Sequence, residues 1–172
     1  MSLPSATATI ITHSLAPGNT YKFQVRAQDQ VGNWSSWSSG PRFWVDAYQE
    51  SNAAISYVGL WSTQALSGSY GGALKYAKGL GTEKATSAFT GSEVGWVSST
   101  NKSRGQVDVY LDGTKVATVD LYSSSGKSRV IVFCKAGLNP SVTHTLEVRA
   151  LGTRNAAATS KRVDVDAFVV LR

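Results

Sequence analysis

GQVDVYLDGTKVATVDLY, residues 105–122, alternates apolar and polar side chains on either side of an Asp-Gly pair. Val107, Val109 and Leu111 fall on one face, and Asp108, Tyr110 and Asp112 on the other. That period of two is the mark of a half-buried strand. Asp112-Gly113 forms a hairpin turn readily, because a type I′ turn needs positive φ at both central residues; Asp tolerates it and Gly adopts it freely. The return run gathers Ala117, Val119 and Leu121 on one face. The stretch therefore predicts two antiparallel strands. The same period recurs along the chain, while helical spacing of apolar residues is scarce, so the protein reads as all-β.

Working outward, residues 55–61 give one strand, followed by a Gly/Ser-rich loop at 67–72 and a strand at 73–77. Residues 85–90 and 93–98 are two more, split by Gly91-Ser92. After the hairpin come 129–134, then 144–151 with Leu146, Val148 and Ala150 inward, and a terminal run at 163–171. About eight or nine short strands without a crossover helix suit an antiparallel jelly-roll β-sandwich. Upstream, Tyr21, Phe23, Val25 and Ala27 alternate with Lys22, Gln24, Arg26 and Gln28. A turn at 29–33 and Gly40-Pro41 then lead into Arg42-Phe43-Trp44-Val45. The pattern stops there, which places a domain boundary near Asp46-Ala47-Tyr48 and divides residues 1–47 from 48–172.

The chain has 172 residues, a net charge of +6 and a pI near 9.6. Its basic residues are dispersed, without a basic run or nucleic-acid motif, so the charge reads as a solvated surface and no nucleic-acid partner is expected. No apolar run approaches the roughly 20 residues of a membrane-spanning helix. The single cysteine excludes an internal disulfide; Cys134 lies in 130–134, apolar on both faces, and reads as a buried, inert thiol. Met1-Ser2-Leu3 reads as an expression scar, so the lack of a signal peptide says nothing about secretion.

The run Leu15-Ala16-Pro17-Gly18-Asn19-Thr20-Tyr21 resembles the tyrosine corner of β-sandwiches. Residues 1–47 as a whole resemble the C-terminal half of a fibronectin type III domain. Trp34 and Trp37, within 33–38, resemble the W-S-x-W-S box of such domains, which implies stacking on an arginine, with Arg26 the local partner. With the early strands missing, one face would be bare; residues 5–45 are expected to self-associate with a second copy or to pack on the jelly roll. Residues 48–172 resemble a galactose-binding-like jelly roll. The matching features are Trp61, Tyr70-Gly71-Gly72, Phe89-Thr90-Gly91, Val94-Gly95-Trp96, the 107–113 hairpin, Val119-Asp120-Leu121-Tyr122, His144-Thr145-Leu146 and Val165-Asp166-Ala167-Phe168-Val169-Val170. The resemblance implies a non-catalytic carbohydrate-binding module, joined to neighbouring domains of a secreted or cell-surface bacterial protein active on polysaccharides. Related modules often hold a structural calcium; Glu50 and Asp166 match its ligand positions loosely, and no metal or cofactor is expected.

Sugar binding calls for flat apolar rings and convergent polar groups. The candidate ligand-binding residues are Tyr70, Trp96, Asn101, Arg104, Tyr110 and Tyr122, with Tyr57, Trp61 and Lys102 beside them. Each has a structural alternative: Trp61 reads as a core residue, Trp96 alternates with Val94 and can face inward, and 98–105 also reads as an ordinary hairpin loop. No G-x-S-x-G occurs, and His13 and His144 are far apart in sequence. Asp108 with Asp112, and Asp164 with Asp166, are imaginable hydrolase pairs, but they read better as acids at turns and exposed strand faces. No catalytic residue is expected. The rival readings are a structural or adhesion spacer that contacts protein, and a glycoside hydrolase fragment.

Overall fold

The computed structural model describes residues 12–172. The scar at 1–3 and residues 5–11 of the expected association segment lie outside the described residues. The chain divides into two units, the first ending at Val45 and the second running from Asp46 to Arg172.

In the first unit, β1 (Asn19–Val25) pairs antiparallel with the leading part of β2 (Ser38–Gln49), in a register from Asn19 opposite Val45 to Val25 opposite Ser38. The Tyr21 phenol donates to the Ala16 carbonyl and accepts from the Ala16 N–H, both at 2.8 Å, and so ties the strand to the chain that enters it. The Arg26 guanidinium lies 4.0 Å from the Trp34 ring centre and 4.6 Å from that of Trp37. Phe43 stacks between Tyr21 and Phe23. Phe23, Val25, Trp34 and Trp37 remain more than half exposed.

The second unit is an antiparallel jelly-roll sandwich. One sheet orders β3 (Ile55–Val58), β6 (Lys84–Thr90), β11 (Thr143–Ala150), β8 (Gln106–Leu111) and β9 (Thr114–Asp120). Facing residues come from the end of β2, β13 (Ala167–Leu171), β7 (Glu93–Thr100) and β10 (Lys127–Ala136), in that order. A third, three-stranded sheet orders β12 (Val163–Val165), β5 (Ala73–Ala77) and β4 (Trp61–Ala65). The predicted hairpin is β8–β9, with Asp112 at φ 50° and Gly113 at φ 78°. Its turn is clipped to β11. Asp112 accepts from the Thr145 N–H, and His144 Nδ1 stands 2.7 Å from Asp112 Oδ2 while Nε2 stands 3.0 Å from the Asn139 carbonyl. Both ring nitrogens face acceptors, so the protonated imidazole satisfies both.

Three expectations need correction. The single strand expected at 55–61 is two, because Gly59 (φ 87°) turns the chain between β3 and β4, which join different sheets. Eleven strands, β3 to β13, follow the end of β2, where about eight or nine were expected. Cys134 is exposed, not buried. No residue of its strand, β10, is fully buried, so the apolar pattern of 130–134 does not mark a doubly covered strand. The thiol donates to Glu93 at 2.8 Å, and partial desolvation together with that carboxylate pushes its pKa up to about 11, away from thiolate reactivity.

Trp96 anchors the core at 0% exposure, opposite Phe168 on β13 and Phe133 on β10. Val107, Val109, Leu146 and Val148 pack into the same cluster from the other sheet. Truncation at Trp96 leaves a void that the strands cannot collapse to fill. Trp96→Ala is therefore expected to lower unfolding free energy by about 3–5 kcal/mol in urea titrations; a loss below about 1 kcal/mol would contradict this placement.

Candidate functional site

β7 enters a tight turn at 101–104, closed by the Arg104 N–H on the Asn101 carbonyl at 3.2 Å. That turn folds the Arg104 side chain back beneath Ser99. There it meets Asp164 of β12, whose carboxylate is fully buried. Arg104 Nε lies 2.7 Å from Asp164 Oδ2, and Arg162 Nε lies 2.6 Å from Oδ1. The Ser99 hydroxyl donates to Oδ2 and accepts from Arg104 Nη2 at 2.9 Å. Arg104 is itself only 8% exposed, and its pKa is lowered by burial and by the neighbouring Arg162 charge, against the pull of Asp164. The Arg162 guanidinium carbon lies over the Tyr76 ring, 4.1 Å from its centre. This cluster floors an open pocket of about 300 Å³, walled by Gln64 of β4 and Leu66 just after it, Thr100 and Asn101, and Gly126, Lys127 and Ser128. A Cβ at Gly126 would stand 2.6 Å from Asn101 Nδ2, so a larger residue there would push the Asn101 amide aside.

Of the sequence-predicted site residues, Asn101 and Arg104 meet in this pocket, and Tyr122 neighbours Asn101 through a parallel bridge. The others are scattered. Trp96 is a core residue and presents no ring to solvent. Tyr110 lies on β8 beneath the Arg149 guanidinium, 3.7 Å away. Tyr70 lines a different, shallower hollow of about 410 Å³ with Gln49, Ser51 and Asn52. Tyr57 and Trp61 meet edge to face at 5.1 Å and pack against the core. Sequence reasoning missed Gln64, Ser99, Lys127 and Arg162. The one available signal was the closeness in sequence of Arg162 and Asp164, two residues apart. The reading of the acids as exposed holds for Asp112, at the hairpin turn, and is overturned for Asp108, Asp164 and Asp166, which are all buried.

A second buried acid lies where β12 gives way to β13. Asp166 is 1% exposed; Oδ1 accepts the Tyr70 N–H at 2.9 Å, and Oδ2 has no partner among the described residues. Burial drives its pKa up to about 6, aided by the charges of Glu50 and Asp164 and opposed by the Tyr70 N–H and Arg129. Glu50 is buried beside it, and the Ser69 hydroxyl is likewise unpartnered. Arg129, at φ 54° in a β10 bulge, donates to the Ser69 carbonyl at 3.1 Å. An orphaned carboxylate oxygen, a second carboxylate and a free hydroxyl suit a hard cation, and Glu50 and Asp166 would hold it. Among the described residues no group of three or more acidic, His or Cys side chains converges.

No protein-family model matches the chain, and no curated protein matches it. Solved structures do. A xanthan lyase from Paenibacillus aligns with a TM-score of 0.53 and 12% identity, over 72% of this chain and 13% of that one. An exo-β-1,3-galactanase from Phanerochaete chrysosporium with β-1,3-galactotriose aligns at 0.52 and 19%, over 83% and 31%. A two-domain esterase active on acetylated mannans aligns at 0.51 and 15%, over 74% and 36%. The chain thus spans little more than a third of any of these proteins, and at such identities the likeness establishes the fold. None of the described helices is long and apolar enough to cross a membrane.

The Asp166 carboxyl gives a signed pH dependence. Its folded pKa, about 6, lies above the ordinary 3.8, so the folded state holds the proton more tightly. The stability this contributes is complete below about pH 4 and is lost as pH rises through 6, amounting to roughly 3 kcal/mol. Thermal unfolding in chelator should show this decline, and Asp166→Asn should flatten it. Millimolar calcium chloride at pH 7 should raise the melting temperature of the unaltered chain and not that of Asp166→Asn. Equal shifts in both would remove Asp166 as a cation ligand.

Proposed function

We propose that residues 46–172 form a non-catalytic carbohydrate-binding module, working as an accessory of a larger secreted polysaccharide-active protein, with the 300 Å³ pocket as its sugar site. The observation that carries this reading is the convergence of Gln64, Asn101, Arg104, Lys127 and Arg162, drawn from separate elements, on one sugar-sized concavity. Strand ends and a closed turn hold these groups rigidly, so little order would be lost on binding. Amide and guanidinium N–H groups suit hydroxyl oxygens. No aromatic ring lines the pocket, so recognition here runs through hydrogen bonds and charge, in place of the ring stacking expected from the sequence.

The acids support a non-catalytic role because in both imaginable pairs at least one member is already engaged; Asp166 keeps an unpartnered oxygen, but its neighbour Asp164 does not. Asp108 is held by Lys115 at 2.7 Å and Thr118 at 2.6 Å, Asp112 by His144 and Thr145, and Asp164 by two arginines. A carboxylate bound in this way lacks the freedom of a general acid, and the hydrogen bonds from Lys115 and Thr118 to Asp108 and from His144 to Asp112 also lower the proton affinity of those two. The solved structures of similar fold come from proteins named for action on xanthan, β-1,3-galactan and acetylated mannans, which fits a module that tethers such a partner to its polymer and raises the local concentration. The rival reading, a spacer that contacts protein, draws on the exposed Phe23, Val25, Trp34 and Trp37 of the first unit.

A glycan array probed with the full chain distinguishes the two readings. At least one polysaccharide is expected to bind, with Gln64→Ala and Asn101→Ala each weakening the dissociation constant about tenfold while circular dichroism stays unchanged. A chain that binds nothing above background would leave only the spacer.

A further inference from the structure

We propose that the saccharide this pocket takes is acidic, with a carboxylate or sulfate on the sugar seated against Arg162 and Lys127. The inference rests on the sugar-binding reading above and names its ligand class.

The argument is a charge count at close quarters. Asp164 is the single anion of the cluster, and both of its oxygens are in use, one toward Arg104 and one toward Arg162. Two guanidiniums against one carboxylate leave a positive charge over, and Lys127 on the pocket wall adds a second. Buried charge is tolerated when it is paired, and this cluster is one anion short. The surplus has a definite location. Arg104 is 8% exposed and spends Nε on Asp164 and Nη1 and Nη2 on Ser103 and Ser99. Arg162 spends only Nε; its two terminal amino groups have no hydrogen-bond partner among the described residues, and it lines the pocket. Tyr76 beneath the guanidinium and Asp164 at its Nε fix the orientation of that fork. A planar fork held in this way suits an oxyanion, which accepts two parallel N–H bonds and supplies the missing charge. A neutral sugar would fill the same donors but leave the charge uncompensated. The pocket volume accommodates a pyranose ring beside the oxyanion, while the amides of Gln64 and Asn101 remain for hydroxyls.

The test is titration calorimetry of the full chain with oligogalacturonate, with the same oligosaccharide after carboxyl reduction, and with a sulfated galactan oligosaccharide. An acidic ligand is expected to bind at least about tenfold more tightly than the reduced one, with affinity falling as salt is raised. Preference between the carboxylated and sulfated arms identifies the source of the oxyanion. Arg162→Gln is expected to abolish the acidic preference; Lys127→Gln, which lies outside the ion cluster and leaves Asp164 with both arginines, should reduce it severalfold. Equal affinity for acidic and reduced oligosaccharides, or an acidic preference that survives both substitutions, overturns the inference while leaving sugar binding intact. Failure to bind any of these and any glycan on the array removes both.

Discussion

A carboxylate taken fully out of water costs several kcal/mol unless cations accompany it, and Asp164 draws in two. Their positions decide the shape of the candidate site. Arg104 reaches Asp164 only because the chain reverses at 101–104, and Arg162 reaches it from two residues upstream, just ahead of β12. Ser99 bridges the pair, and the backbone N–H of Gly105 donates to the Arg162 carbonyl at 2.9 Å. The end of β7, the following turn and the start of β12 are therefore one electrostatic unit. Removing Asp164 would strand the buried Arg104 guanidinium, so the pocket floor is held in place by the same interaction that makes it polar.

The legible parts of the fold were those set by local chemistry. Asp112-Gly113 has the backbone angles its composition demands, and the alternation in 143–151 separates Leu146, Val148 and Ala150 from Thr145, Glu147 and Arg149 as read. A period of two tells which residues share a face, and it is silent on what covers that face. The apolar run at 130–134 shows this: its pattern fits a doubly covered strand, and no residue of β10 is fully buried. The reverse error occurred at 163–166. Alternating Val and Asp reads as a half-buried strand with acids outward, yet β12 lies between β5 and the body of the sandwich and is buried on both faces.

The site was legible in part for the same reason. Asn101 and Arg104 were found because a polar loop after a strand is a common place for binding groups. Gln64, Lys127 and Arg162 come from three elements distant in sequence, and no spacing links them. Aromatic residues were the weaker guide. Trp96 and Tyr110 both lie on strands whose alternation was known, and each is fixed by a partner on an adjacent strand that local pattern cannot reveal, Phe168 in one case and Arg149 in the other. Aromatic rings serve cores as readily as ligands, so without a view of the covering layer their presence carries little information about function.

Asp164 and Asp166 stand two residues apart and meet opposite fates because the chain changes sheets between them. Asp164, on β12, is supplied with more positive charge than it needs. Asp166, at the start of β13, has an N–H on one oxygen, a more distant arginine and another acid for company. The first environment has a surplus cation, and the second answers its surplus anion by holding a proton, with a pKa near 6. A fold selected for stability alone gains nothing by leaving opposite charges unmatched at two neighbouring buried positions. Each imbalance is relieved by something the chain does not contain, an oxyanion in the first place and a proton or hard cation in the second. The uncompensated charges are therefore better grounds for a candidate site in this jelly roll than its aromatic residues are.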